Sequence, residues 1–272
     1  MASTDPQPPS FLQSLLARYS HDVPPAQRPF VTLTFAQSID AKIAGKAGKQ
    51  LILSGKDSMV MTHWMRTMHD AILVGIGTAS NDNPQLNTRH LPPRPSDPAK
   101  NGHDNPYHLP RPIILDTNLR LSPKCKLAEN YNQGLGRRPW VFCSEPGNLE
   151  EKQEWLTRKT RLEEAGVKTI IVPPSNNIYR DNLELAAILK YLHEHQIRSL
   201  MVEGGARVIK SFFADESVVD TIIVTIAPTF VGDDGVGYNV GQGQGTTFRP
   251  VATELFGRDS VVALLRQTNT HE

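Results

Sequence analysis

Cysteine is scarce: Cys125 and Cys143 are the two in the chain, with no CxxC pair and no Cys/His spacing of the zinc-ligating kind. A disulfide framework or a zinc site therefore has no support, and a reducing cytoplasmic compartment is the expectation. Long apolar runs are also missing, since no stretch approaches the roughly 20 residues needed to span a bilayer. Charge of one sign is absent too: 29 Lys and Arg stand against 28 Asp and Glu, net +1. The charges are interspersed, which speaks against a nucleic-acid footprint or a membrane-surface patch. The N-terminus, MASTDPQPPS, has neither the basic start nor the apolar stretch of a secretory signal. There is no GxSxG elbow, no GxxxxGK loop and no HExxH, so hydrolase, kinase and zincin chemistry lack their motifs.

What is present alternates. FVTLTF (30–35) alternates apolar residues with threonine and reads as a strand, running into a loop with Ser38, Asp40 and Lys42. Ser54 is the expected N-cap of a helix to about Met68, whose methionines are core packing. DAILVG (70–75) is a buried strand followed by IGTASNDNPQLNTR, a loop with a short helix. Further strands are expected at 111–118, 137–143 and 167–174, with helices at 149–165 and 181–195 between them. RSLMVEGGARVIKSFF (198–213) reads as strand, glycine pair, helix. Strands at 218–226 and 260–267, joined only by a glycine-rich loop, suggest an antiparallel edge. The pattern implies an α/β fold, a mostly parallel sheet covered on both faces. Residues 1–28 form an N-terminal extension with a short helix at 11–20, and 29–272 one domain. Residues 90–110, rich in proline and polar groups, are expected to be a solvated insertion whose three histidines are surface residues.

In open α/β sheets ligands sit beyond the carboxyl ends of the strands. The polar groups that come after each strand are Ser38, Asp40 and Lys42; Thr78, Asp82, Asn83 and Arg89; Thr117; Ser175; and Glu203, Gly204 and Gly205. Glycines at a strand-to-helix turn leave backbone N–H groups free at a positive helix terminus, where phosphate binds. Each residue alone has an ordinary explanation: Asp40 or Asp82 as a turn former, Arg66 as a charge at a helix end. Their joint placement at strand ends points to a dinucleotide and a phosphorylated polar substrate.

TFAQSIDAKIAG, DAILVGIGTASNDNPQLNTR and MVEGGARVI, in that order, resemble the reductases of riboflavin biosynthesis, in particular the stand-alone fungal and archaeal branch acting on 2,5-diamino-6-ribosylamino-4(3H)-pyrimidinone 5′-phosphate. The resemblance runs from about residue 30 to the end. It implies a three-layer α/β/α, dihydrofolate reductase-like sheet and NADPH-dependent reduction of the ribosyl group to ribityl. It further implies a cytoplasmic homodimer, with the apolar strand at 218–226 suited to a shared sheet edge. By position, Thr78, Asp82, Thr117 and the run Gly204, Gly205, Ala206, Arg207, Val208 and Ile209 match cofactor contacts. Ile171 or Val172 would line the nicotinamide or adenine side. Ser38, Arg66, Leu86, Arg89 and Glu203 fall at substrate positions, the two arginines suiting a 5′-phosphate. The deaminase signature HxE…PCxxC of bifunctional bacterial relatives is absent. Those relatives carry a tryptophan near the position of Leu51.

The chemistry implied is hydride transfer to the anomeric carbon of an open-chain imine, with a proton delivered for ring opening. Asp40 or Glu203 is the candidate acid/base, and Lys42 would hold the ribose hydroxyls. Preference for NADPH needs a group at the adenosine 2′-phosphate, for which Arg207 and Arg180 are both open. Competing readings are a pterin- or folate-type reductase, a non-catalytic dinucleotide-binding regulator, and a scaffold protein.

Overall fold

A computed structural model describes residues 5–94, 105–173, 183–238 and 248–267. The Thr/apolar alternation of 30–38 builds the central strand. Val31, Leu33 and Phe35 point to one face, while Thr32 and Thr34 are buried on the other. In chain order the elements are α1 (Ser10–Leu16), α2 (Arg18–His21), β1 (Phe30–Ser38), α3 (Lys56–Thr67), β2 (Ala71–Gly75), α4 (Ile76–Asp82), β3 (Arg111–Leu115), α5 (Lys126–Asn132) and β4 (Trp140–Cys143). They continue with α6 (Leu149–Glu164), β5 (Lys168–Ile171), α7 (Leu185–Glu194), β6 (Ser199–Gly204), α8 (Ala206–Ala214), β7 (Thr221–Ala227), β8 (Phe248–Phe256) and β9 (Asp259–Arg266).

The nine strands form one sheet in the order β5-β4-β3-β2-β6-β1-β7-β9-β8. Strands β1 to β7 run parallel, and β9 and β8 close one side antiparallel. The expected mostly parallel sheet with an antiparallel edge is thus borne out. One face is covered by α1, α3, α5 and α6 through Leu12, Met61, Trp64, Met65, Leu127, Trp155 and Leu162. The other is covered by α7 and α8 through Ile188, Leu189, Leu192, Val208, Ile209 and Phe212. Met61 and Met65 of α3 are core residues, as their spacing implies, whereas Met59 is exposed.

Several expectations need correction. β8 (FRPVATELF) has no counterpart in the sequence reading. As the outermost strand it has a partner on one side only, its residues are partly or fully exposed, and Pro250 sits at a register shift, so no clean period-2 pattern marks it. The stretch at 218–226 is no shared edge, because β7 lies between β1 and β9. Ser38 belongs to β1 and not to the loop after it. Gly55, not Ser54, is the N-cap of α3, and it has no side chain to cap with. The insertion is anchored at its described ends: Tyr107 is buried edge-on against Trp64 at 5.4 Å, and its hydroxyl donates to the Pro92 carbonyl. His90 and His108 are exposed, while His103 lies outside the described residues.

Beneath α2 the threonines of β1 form a buried polar seam. His69 Nδ1 faces the Met65 carbonyl at 2.7 Å and so carries the proton, leaving Nε2 to accept from the Thr32 hydroxyl at 2.9 Å. The Thr32 hydroxyl lies 3.2 Å from that of Tyr19, which is 2.7 Å from Thr221 Oγ1. Arg28 and Asp220 close the seam with a pair at 2.6 Å. Burial lowers the His69 pKa from 6.5 to about 4, so the native state holds a neutral ring. Between those two values the unfolded chain binds the extra proton, and stability falls as pH drops from 6.5 towards 4. A shift of this size corresponds to on the order of 3 kcal/mol. Urea denaturation at a series of pH values should show that loss, and His69→Gln, less stable at neutral pH, should show a shallower slope through the same interval.

Candidate functional site

Strands β2 and β6 are neighbours, and each passes into a helix through a single residue. Gly75 is the N-cap of α4 and Gly205 the N-cap of α8. The two helix starts abut: a Cβ on Gly75 would lie 2.9 Å from Val208 Cγ2, and one on Gly205 would lie 3.0 Å from Thr78 Oγ1. Gly204 has φ +96°, a conformation that suits glycine, and is joined to Gly205 by a cis peptide. Two positive helix ends with free N–H groups therefore meet at one place, with no side chain between them.

They open onto a cavity of about 790 Å³. Thr78, Asp82 and Thr117 are on its wall, as are Glu203, Gly205 and the run Ala206 to Ile209. These are the residues expected at the ends of β2, β3 and β6. Ile171 and Val172 are not on the wall. β5 is the far edge of the sheet, Ile171 is half exposed there and Val172 is packed in the core. Leu183, Leu185 and Ile188, further along the chain, supply the apolar wall on that side. Ser175 and Arg180 lie outside the described residues.

Beside the cavity, Arg66 reaches from α3 to Glu203. Its Nε and Nη2 donate to the two carboxylate oxygens at 3.0 Å each, and Nη1 donates to the Asn87 carbonyl at 3.0 Å. The side chains are 11% and 18% exposed, so this is a forked, largely desolvated pair. Arg89 donates to Asn87 Oδ1 at 2.9 Å. Its pKa is lowered by desolvation and by the charge of Arg66. His63 lies beneath them and accepts the Arg89 backbone N–H at 3.1 Å. Burial, then the charges of Arg66 and Arg89, lower its pKa to about 3, and the ring stays neutral. Leu86 is buried in the core and does not line the cavity.

Asp40 and Lys42 are not on the cavity wall either. The Asp40 carboxylate accepts from the Ser38 hydroxyl at 2.6 Å, from Gly232 N–H at 2.8 Å and from Val231 N–H at 3.1 Å. Chiefly through Ser38 and Gly232, these bonds hold its pKa down at about 2. Ser38 is fully buried, and its oxygen also accepts the Lys42 backbone N–H. The cluster fastens segment 231–236 across 43–44, where Val236 and Ala44 exchange backbone bonds and both line the cavity. In contrast, Asp82 stands on the wall with its pKa raised by desolvation.

Leu51, the position of the relatives' tryptophan, is on the wall, while sequence reasoning missed Gln50, Ile52, Leu53 and Ser54, with Met59, Asn81 and Arg120. Arg120 was within reach of the strand-end rule, three residues beyond Thr117. Residues 50–54 carry no strand-end signal, because they arrive from the start of α3.

A model of the RibD C-terminal domain matches residues 29–262. The 2,5-diamino-6-ribosylamino-4(3H)-pyrimidinone 5′-phosphate reductase of Candida glabrata is 36% identical over 227 residues, 83% of this chain and 85% of that protein. The protein of the same name from Saccharomyces cerevisiae is 37% identical over 209 residues, 76% of this chain and 75% of that one. Among solved structures, the riboflavin biosynthesis reductase of Saccharomyces cerevisiae superimposes with a TM-score of 0.67 at 28% identity, covering 94% of this chain and 99% of that one.

Removing one member of the Arg66–Glu203 fork strands the other charge in a desolvated place. Arg66→Ala and Glu203→Gln should each lower unfolding stability by roughly 1–3 kcal/mol. The double variant should lose clearly less than the sum, as measured by a double-mutant cycle in urea.

Proposed function

The chain belongs to the RibD C-terminal domain family, and from that premise we propose that it reduces the ribosyl group of 2,5-diamino-6-ribosylamino-4(3H)-pyrimidinone 5′-phosphate to ribityl, with NADPH as reductant, in riboflavin biosynthesis. The observation that carries this reading is the meeting of two helix starts over bare glycine beside the Arg66–Glu203 fork. The donor set suits a dinucleotide diphosphate: backbone N–H groups at the starts of both helices and the Thr78 hydroxyl, beside two glycines on the cavity wall. When bound, the nicotinamide supplies a hydride to the anomeric carbon.

The chain's own residues then have three tasks. The first is to hold the substrate. Glu203 already compensates Arg66, whereas Arg89 has only neutral partners among its hydrogen bonds and is the better placed cation for the 5′-phosphate. The second is to deliver a proton to the ring oxygen as the C1′–O4′ bond breaks and the nitrogen lone pair forms the C1′=N bond. The sum is one hydride and one proton added. Asp82, with its raised pKa and its place on the wall, suits this donor role better than Asp40, which stays ionised through its three bonds. On this reading Asp40 and Lys42 shape the cavity's rim. The third is to discriminate the cofactor. Arg207 is in the first turn of α8, against the diphosphate. Arg120, 59% exposed on the β3 side next to the apolar wall, suits the adenosine 2′-phosphate. A homodimer remains the expectation, and the exposed outer edge of β8, with Leu255 76% exposed, is a surface that supports it.

Oxidation of NADPH followed at 340 nm tests the reading: the phosphorylated substrate should be turned over and the dephosphorylated one should be a far poorer substrate. Equal rates with both, or turnover of a dihydropterin instead, would reject it. In the same assay Asp82→Asn should lower kcat by roughly a hundredfold or more, and Asp40→Asn by less than about tenfold. Arg120→Ala should bring the KM values for NADPH and NADH closer together, read from steady-state kinetics with each cofactor.

A further inference from the structure

The antiparallel edge is tied to the cavity wall through one buried carboxylate, which is not itself on that wall. β9 runs against β7, with Ser260 opposite Ile226, so its first residues lie at the end of the sheet where the parallel strands finish. Asp259 is therefore at the cavity end although it is chain-distant from every other residue of the site. It is fully buried. Its Oδ2 accepts the Gly55 backbone N–H at 2.6 Å and, at close range, the Ser58 hydroxyl. Gly55 is the N-cap of α3 and Ser58 its third residue, the two positions that satisfy each other in an ordinary capping box. Here glycine has no side chain to offer, and the box is closed by a residue from another element. The neighbouring Arg258 donates from Nη2 to the Leu53 carbonyl at 3.1 Å.

These three bonds hold Leu53, Gly55 and Ser58, within and next to the residues Leu51 to Ser54 and Met59 that line the cavity. α3, whose start they fix, also carries Arg66 of the fork and His63 beneath Arg89, the groups on the side given to the substrate. With the cofactor assigned to the starts of α4 and α8, the wall borne by the α3 segment is the one given to the pyrimidine ribotide. We propose that Asp259 is a positioning residue for the substrate, acting through the N-terminus of α3 to fix the 51–54 wall. The inference rests on the reductase reading for the identity of the substrate, and on geometry alone for the clamp.

The test compares Asp259→Ala with Asp259→Asn, whose amide oxygen can accept the same N–H and hydroxyl. At a temperature where circular dichroism shows both folded, Asp259→Ala should raise KM for the pyrimidine roughly tenfold. KM for NADPH should change less than about twofold, and Asp259→Asn should recover most of the difference. A folded Asp259→Ala with wild-type KM for both substrates overturns the proposal, as does an equal rise in both. If Asp259→Ala does not fold, Ser58→Ala and Arg258→Ala carry the same expectation in weaker form, and unchanged pyrimidine KM in both overturns it. If the wild-type protein oxidises no NADPH with this substrate, the reductase reading fails separately. Amide hydrogen exchange then decides the clamp: faster exchange at 51–58 in the variant supports it, and unchanged exchange overturns it.

Discussion

Two helices begin side by side at the ends of adjacent parallel strands, and any side chain where they meet would force its neighbour to shift. Side chains at Gly75 or Gly205 would press on Val208 or Thr78. The rest of the site depends on that contact. β2 and β6 must be neighbours for the helix starts to touch, and α4 and α8 must then pack on opposite faces of the sheet, as Ala79 and Val208 do. The cavity lies where both positive ends are exposed, and an anionic ligand is favoured there by the partial charges of the backbone before any side chain is considered.

Around this point the carboxylates divide by what already holds them. Glu203 is forked by Arg66, Asp40 is held by a hydroxyl and two amides, and Asp259 replaces a cap that α3 lacks. Each ties chain-distant segments together, and for Glu203 and Asp259 the desolvated setting makes such bonds fix geometry more firmly than surface pairs do. Asp82 carries no such duty, and burial shifts it towards the protonated form. A carboxyl group whose pKa moves upward in a cleft is suited to chemistry, and one whose lone pairs are filled by N–H and O–H donors is suited to structure.

Cavity and edge strands are coupled in a way that parallel topology alone would not produce. A parallel strand can offer the site only the residues beyond its carboxyl end. An antiparallel strand begins at that end, so its first residue can reach inward, as Asp259 does. Segment 231–236, fastened by Asp40, is held to 43–44 by the same principle of a distant anchor.

The alternation in FVTLTF, the apolar run of DAILVG and the glycine pair after SLMV were enough to determine a parallel α/β sheet and to place Thr78, Asp82, Thr117, Glu203 and the 205–209 turn at its carboxyl edge. Those features are local: periodicity and turn chemistry are set by neighbours in the chain. The tertiary structure alone decided that Arg66 belongs to Glu203, that Asp40 turns towards Gly232 and away from the cavity, that Ile171 is stranded on an outer strand, and that FRPVATELF is a strand at all. The first three depend on partners tens to hundreds of residues away, and the last is an edge strand paired with its chain neighbour β9 but solvated on one side, so none leaves a periodic trace in the sequence.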